Sequence, residues 1–307
     1  MFINYYIKGL LIGIANIIPG VSGGTLALIL GIYHKIVSSS ANIIKLKIGK
    51  ENTTFLMILS LGILTSVTIL SKILKNYILD GTTREAYLNM LFIGLTTGSI
   101  FTLKKETNHK SNHSKAITKY LLFLIGFLTT LSFVILRTYN ISSYISEYQN
   151  KKSIKYYLAI ANSGIMGGCA MILPGISGSL ILLSLGTYKE IVDIISQIKI
   201  IPCLIFGLFT IIGTGITILI IEKIINKYFA QFIYLSMGLI LGSILQMLII
   251  ITKLNIKPNL TLSVFSCILF ITGIYINKKL ENAKKPTLNL KCRKPDSNRY
   301  GDYSSGF

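Results

Sequence analysis

Pro19-Gly20-Val21-Ser22-Gly23-Gly24-Thr25 and Pro174-Gly175-Ile176-Ser177-Gly178-Ser179 are two copies of one short phrase, set far apart in a strongly apolar chain. Aligned without gaps over 19–37 and 174–192, ten of nineteen positions are identical: Pro, Gly, Ser, Gly, then Leu28/Leu183, Leu30/Leu185, Gly31/Gly186, Tyr33/Tyr188, Ile36/Ile191 and Val37/Val192. A helix breaker followed by glycine and small hydroxyl residues, duplicated inside a membrane chain, is the sequence mark of a transporter built from two related halves. A second pair supports this. Gly94-Leu95-Thr96-Thr97-Gly98-Ser99-Ile100 matches Gly238-Leu239-Ile240-Leu241-Gly242-Ser243-Ile244 in the same order within each half. For these later glycines, close helix packing is the favoured reading over contact with substrate.

The surrounding composition fits. The 307-residue chain is 51% hydrophobic and 14% charged, with mean hydropathy +0.64. Apolar runs lie at 3–18, 25–37, 54–74, 86–103, 117–136, 154–173, 180–194, 200–221, 231–251 and 261–277. Such a series reads as a multi-pass membrane protein. The net charge of +20 is scattered through short loops and a tail, which suits anionic headgroups and the positive-inside bias rather than nucleic acid. Cys169, Cys203, Cys267 and Cys292 form no CxxC pair, so neither a disulfide nor a metal site is expected. His109 and His113 sit in a polar Lys/Asn/Ser stretch and read as solvated. The first apolar run leads straight into the Pro-Gly phrase without a cleavage pattern and is read as retained.

Segment 25–37 would rise only about 20 Å as a helix, short of the ~30 Å hydrocarbon core. A hairpin that dips into the membrane and returns, with Pro19-Gly20 at its tip, solves this, and 154–173 with 180–194 repeats it. The expected fold is therefore all-α, an inverted repeat of two halves (about 1–140 and 141–277), each with one re-entrant hairpin plus about three spans. Three is odd, so the second half must be inverted. With the N-terminus inside, 38–53, 104–116, 222–230 and the tail are cytoplasmic, and 75–85, 137–153, 195–199 and 252–260 are external. Residues 1–277 form the transporter domain; 278–307, basic and without periodicity, read as a disordered tail.

Proline should end the incoming half-helix near Pro19 and Pro174. Ser22 and Ser177 are placed to cap the outgoing one, leaving backbone N–H groups aimed at a polar ligand, an anion above all. The candidate substrate-binding residues are Asn16, Pro19, Gly20, Ser22, Gly23, Gly24, Thr25, Pro174, Gly175, Ser177, Gly178 and Ser179. The bland alternative is a kinked packing seam without ligand. Arg84 and Arg137 read as snorkelling interfacial residues before they read as phosphate attractors. No His, Asp or Glu accompanies the motif serines, so no catalytic residue, cofactor or enzymatic activity is expected.

These phrases resemble the bacterial polyprenyl-phosphate (undecaprenyl-phosphate) transporter family. The likeness rests on residues 15–25, on Ala170–Ser179, on the Gly-x-Tyr endings and on both Gly-Leu-x-x-Gly-Ser segments. It implies a multi-pass protein of the bacterial cytoplasmic membrane that returns undecaprenyl phosphate to the inner leaflet for envelope synthesis. A departure lies after Gly-x-Tyr, where Lys189-Glu190 in the second copy faces His34-Lys35 in the first. An ion-coupled carrier of a small soluble anion is the alternative. The coupling ion, proton or sodium, is left open, with Glu190, Asp193 and Glu222 the nearest carboxylates.

Overall fold

Backbone polar groups in hydrocarbon must be satisfied within the segment, so apolar runs of this kind fold as helices. The computed structural model describes residues 2–17, 21–70, 83–110, 116–138, 153–197, 199–254, 256 and 259–288. No strand occurs among them. The helices are α1 (Phe2–Ile17), α2 (Gly23–Ile29), α3 (Tyr33–Ile44), α4 (Lys50–Thr65, extended by a π turn over Ser66–Leu70), α5 (Thr83–Lys110), α6 (Ala116–Thr138), α7 (Ile154–Ile172), α8 (Gly178–Ser184), α9 (Tyr188–Ser196), α10 (Ile200–Lys253) and α11 (Leu260–Leu288). Five of these (α4, α5, α6, α10 and α11) are long and apolar enough to cross a membrane. The bent pair α2/α3 makes a sixth if counted as one span. The chain is a multi-pass membrane protein.

Two expectations are corrected. Segments 25–37 and 180–194 are each two helices, not one. α2 ends at Ile29, and α3 leaves it at a bend of 117°. The reason is chemical: Gly31 (φ +69°) and Gly186 (φ +68°) adopt the left-handed conformation, which glycine enters without a Cβ penalty. At the first, Gly31 N–H donates to Leu28 O and Ile32 N–H to Ala27 O, both at 3.0 Å. At the second, Gly186 N–H reaches Leu183 O at 3.1 Å and Thr187 N–H reaches Leu182 O at 2.9 Å. Both copies thus stop their short helix with the same Schellman turn.

The second correction concerns 222–230, expected as a loop. It is helical, and α10 is interrupted only at Tyr228 (φ −130°, ψ 46°). A straight helix of its 54 residues would run about 80 Å, over twice the ~30 Å core. Residues 200–227 and 229–253 are therefore separate limbs joined at one residue. The polar group Glu222, Lys223, Asn226 and Lys227 marks the join.

Glycines set how the limbs pack. In α5 and α11, Gly94 lies on the Phe270 carbonyl and Gly273 on the Leu91 carbonyl. In α10 and α6, Gly238 lies on the Phe123 carbonyl and Gly126 on the Leu235 carbonyl. A Cβ at any of these would overlap backbone, so the glycines permit the close approach that membrane helices use in place of hydrophobic collapse. α1 meets α4 in the same way through Gly9 against Leu59 O and Gly62 against Tyr6 O. The main buried cluster (Ile12, Leu26, Tyr33, Phe92, Phe232, Ile240 and Met247 among its members) surrounds α2. Large apolar side chains such as Leu61, Leu128, Ile211 and Ile271 face outward.

Candidate functional site

Helix α7 ends at Ile172, two residues before Pro174, and α1 ends at Ile17, two before Pro19. A helix that stops inside the protein leaves carbonyls that need donors. Here the first motif supplies them. Tyr33 OH donates to Ile172 O at 2.9 Å, and Ser22 Oγ donates to Leu173 O at 3.3 Å. In return Gly175 N–H donates to Thr25 Oγ1 at 2.7 Å, between buried atoms. A Cβ on Gly24 would stand 3.0 Å from Ile172 O, so this glycine lets the two chains touch. Gly175 itself has φ +84° and lies against the α10 backbone at Leu239–Ile240, where any other side chain would be both strained and crowded.

The two motifs, offset by 155 residues in sequence, are thus in direct contact. Ser22, Gly24 and Thr25 meet Gly175 and the end of α7. Ser177 and Ser179 pair with one another through their hydroxyls at 2.6 Å, and Gly178 lies beside Gly167 O. Asn16 is exposed and its side-chain amide covers Gly23. Pro174 is buried. Pro19 and Gly20 lie outside the described residues.

The expected capping is corrected in part. Ser22 and Ser177 occupy the N-cap positions of α2 and α8 with extended backbone, yet neither hydroxyl accepts a capping bond from a backbone N–H of its helix. Ser22 turns instead to the opposite motif, because an unsatisfied carbonyl of α7 competes for it. The arrangement is closed: Ser22 is 4% exposed, Thr25 1% and Ser177 9%.

Sequence reasoning missed two participants. Tyr33 was legible only as a repeated position; its ring stacks on Phe232 at 5.7 Å, which aims the hydroxyl at α7. Lys8, a lone cation within the apolar run 3–18, donates to Leu30 O at 3.1 Å, at the end of α2. Among the carboxylates, Glu222 forms an ion pair with Lys45, and Glu190 accepts from Tyr156 OH at 2.7 Å. Arg84 is exposed at the start of α5. The Arg137 side chain lies outside the described residues.

The model of a family described as undecaprenyl phosphate translocase-like matches residues 12–263, which span both motifs. The chain belongs to that family. Among curated relatives, a polyprenyl-phosphate transporter of Vibrio cholerae serotype O1 is 28% identical over 255 residues, 79% of this chain and 76% of the relative. A polyprenyl-phosphate transporter of Staphylococcus aureus is 28% identical over 281 residues, 89% of this chain and 94% of the relative. No solved structure matches.

Proposed function

We propose that this protein moves undecaprenyl phosphate, or a related polyprenyl phosphate, across the bacterial cytoplasmic membrane and so returns the lipid carrier used in envelope synthesis. The observation that carries this reading is the contact between the two motifs, both inside the stretch that the family matches. The donors that hold the contact together are donors that a phosphate accepts: Ser22 Oγ, Tyr33 OH and Gly175 N–H, with Thr25, Ser177 and Ser179 beside them. Opening the seam transfers Ser22 Oγ and Tyr33 OH from the carbonyls at the end of α7, and Gly175 N–H from Thr25 Oγ1, to the headgroup. Each such bond is worth about 1 kcal/mol net, so one set can replace the other at small cost. The prenyl chain stays in lipid throughout.

The inverted, re-entrant topology belongs to the same proposal. Three ion pairs agree with it. Lys45–Glu222, Lys105–Glu281 and Lys35–Glu51 each join segments that the inside-N-terminus assignment puts at one face. Coupling to a proton or sodium gradient completes the cycle, and no chemical step is assigned. The relatives' names give no support to a small soluble anion as cargo.

The test is a leaflet-resolved measurement of undecaprenyl phosphate in cells that rely on a Ser22→Ala, Thr25→Ala, Ser177→Ala variant. The expected result is lipid held in the outer leaflet at unchanged protein level. Normal return would make the seam a packing feature only, and release of inorganic phosphate by the purified protein would point to an enzyme.

A further inference from the structure

A second polar place lies away from the motif contact, where α1 and α4 begin and Lys35 of α3 reaches them. A cavity of about 540 Å³ opens there, lined by Phe2, Tyr5, Lys35, Lys50, Glu51, Thr54 and Phe55. Its volume falls within the roughly 300–1,000 Å³ typical of small-ligand sites. One side is aromatic: Tyr5 and Phe55 meet edge to face with centroids 4.8 Å apart. The Lys35 ammonium stands over both rings, 5.0 Å from Tyr5 and 4.9 Å from Phe55. It also donates to Tyr5 OH at 3.1 Å and to Glu51 at 3.0 Å. Cation–π contact and the phenol fix its position. The Glu51 side chain is 78% exposed against 27% for Lys35.

Two ammonium groups and one carboxylate leave the cavity with a net positive charge, beside an apolar wall. We infer that this cavity receives the phosphate of a prenyl phosphate, which displaces Glu51 from Lys35 while the first isoprene units lie on Phe2, Tyr5 and Phe55. The inference rests on the transport reading above and gives it a second station, at the membrane face where α1 starts. The other copy of the motif carries the opposite charge at the matching position. Glu190 stands where Lys35 stands, third in its helix after the left-handed glycine, and it too is held by a tyrosine, Tyr156. At this position of the repeat the cation stands in the first copy.

The experiment uses the full chain in micelles, with its four native cysteines replaced by alanine and with Thr54→Cys as the reporter. Thr54 lies on the cavity wall and is exposed. The readout is the rate of alkylation by a charged maleimide. Farnesyl phosphate is expected to slow it, and Lys35→Gln with Lys50→Gln to raise the half-protecting concentration by about tenfold, as for the loss of two solvent-screened ionic contacts. Protection is expected to persist in a Ser22→Ala, Thr25→Ala variant, which separates this station from the motif contact. If that variant transports normally yet Thr54→Cys stays protected, the motif reading fails and the cavity stands. Equal protection by farnesol, by inorganic phosphate or by phosphatidylglycerol would overturn the inference. Each would mean, in turn, an apolar cleft, a free-anion site or a seat for bulk lipid.

Discussion

Thr25→Val tests the contact between the motifs with the smallest change of shape. Valine keeps the branched outline and removes Oγ1, the acceptor for Gly175 N–H at 2.7 Å. Thr25 is 1% exposed, and Gly175 is pressed on the α10 backbone, so water has no route to replace the lost partner. An N–H left buried without an acceptor costs about 1–3 kcal/mol. If opening of the seam is what exposes this amide, its hydrogen exchange should accelerate by about 5- to 150-fold. The assay is exchange at Gly175 in the purified full chain, with thermal unfolding measured alongside. Thr25→Ser, which retains the oxygen, should stay close to the parent protein. Unchanged exchange and unchanged stability in Thr25→Val would refute the contact.

Three further outcomes are expected. Gly94→Val and Gly238→Val would each drive a side chain into a facing carbonyl, of Phe270 and of Phe123. Thermal stability in micelles should drop by about 1–3 kcal/mol or more. Gly207→Ala, with nothing within 4 Å of the added methyl, should be neutral or gain up to about 1 kcal/mol from helix propensity. Cysteines at Lys50 and Lys199 should be labelled from opposite sides of intact cells; labelling from one side would remove the inverted arrangement.

Hydropathy and two prolines were enough to read the helical class and the ends of the helices that lead into each motif. Pro174 ends α7 where its missing N–H requires, whereas the turn at Gly31 stayed unread, because the repeated Gly-x-Tyr lies inside an apolar run that reads as one helix. What stayed hidden depends on partners remote in sequence. Nothing near Ser22 announces that its hydroxyl will serve Leu173 rather than its own helix, since the competing carbonyl lies 151 residues away. The helical backbone of 222–230, broken only at Tyr228, stayed unread because charge reads as a loop. Charged side chains at a membrane surface cost a helix little, however, and no glycine or proline interrupts residues 216–237.

The glycine interlocks carry one more consequence. α6 grips the 229–253 limb of α10, and α11 grips α5, so each portion of the chain lends its last helix to the other. Neither possesses a complete scaffold alone. Fragments cut between 138 and 153 would have to be made together to assemble, and the two portions cannot part like jaws. If the proposed transport holds, the motion it needs falls to the short broken helices at the centre, inside a frame that stays woven shut.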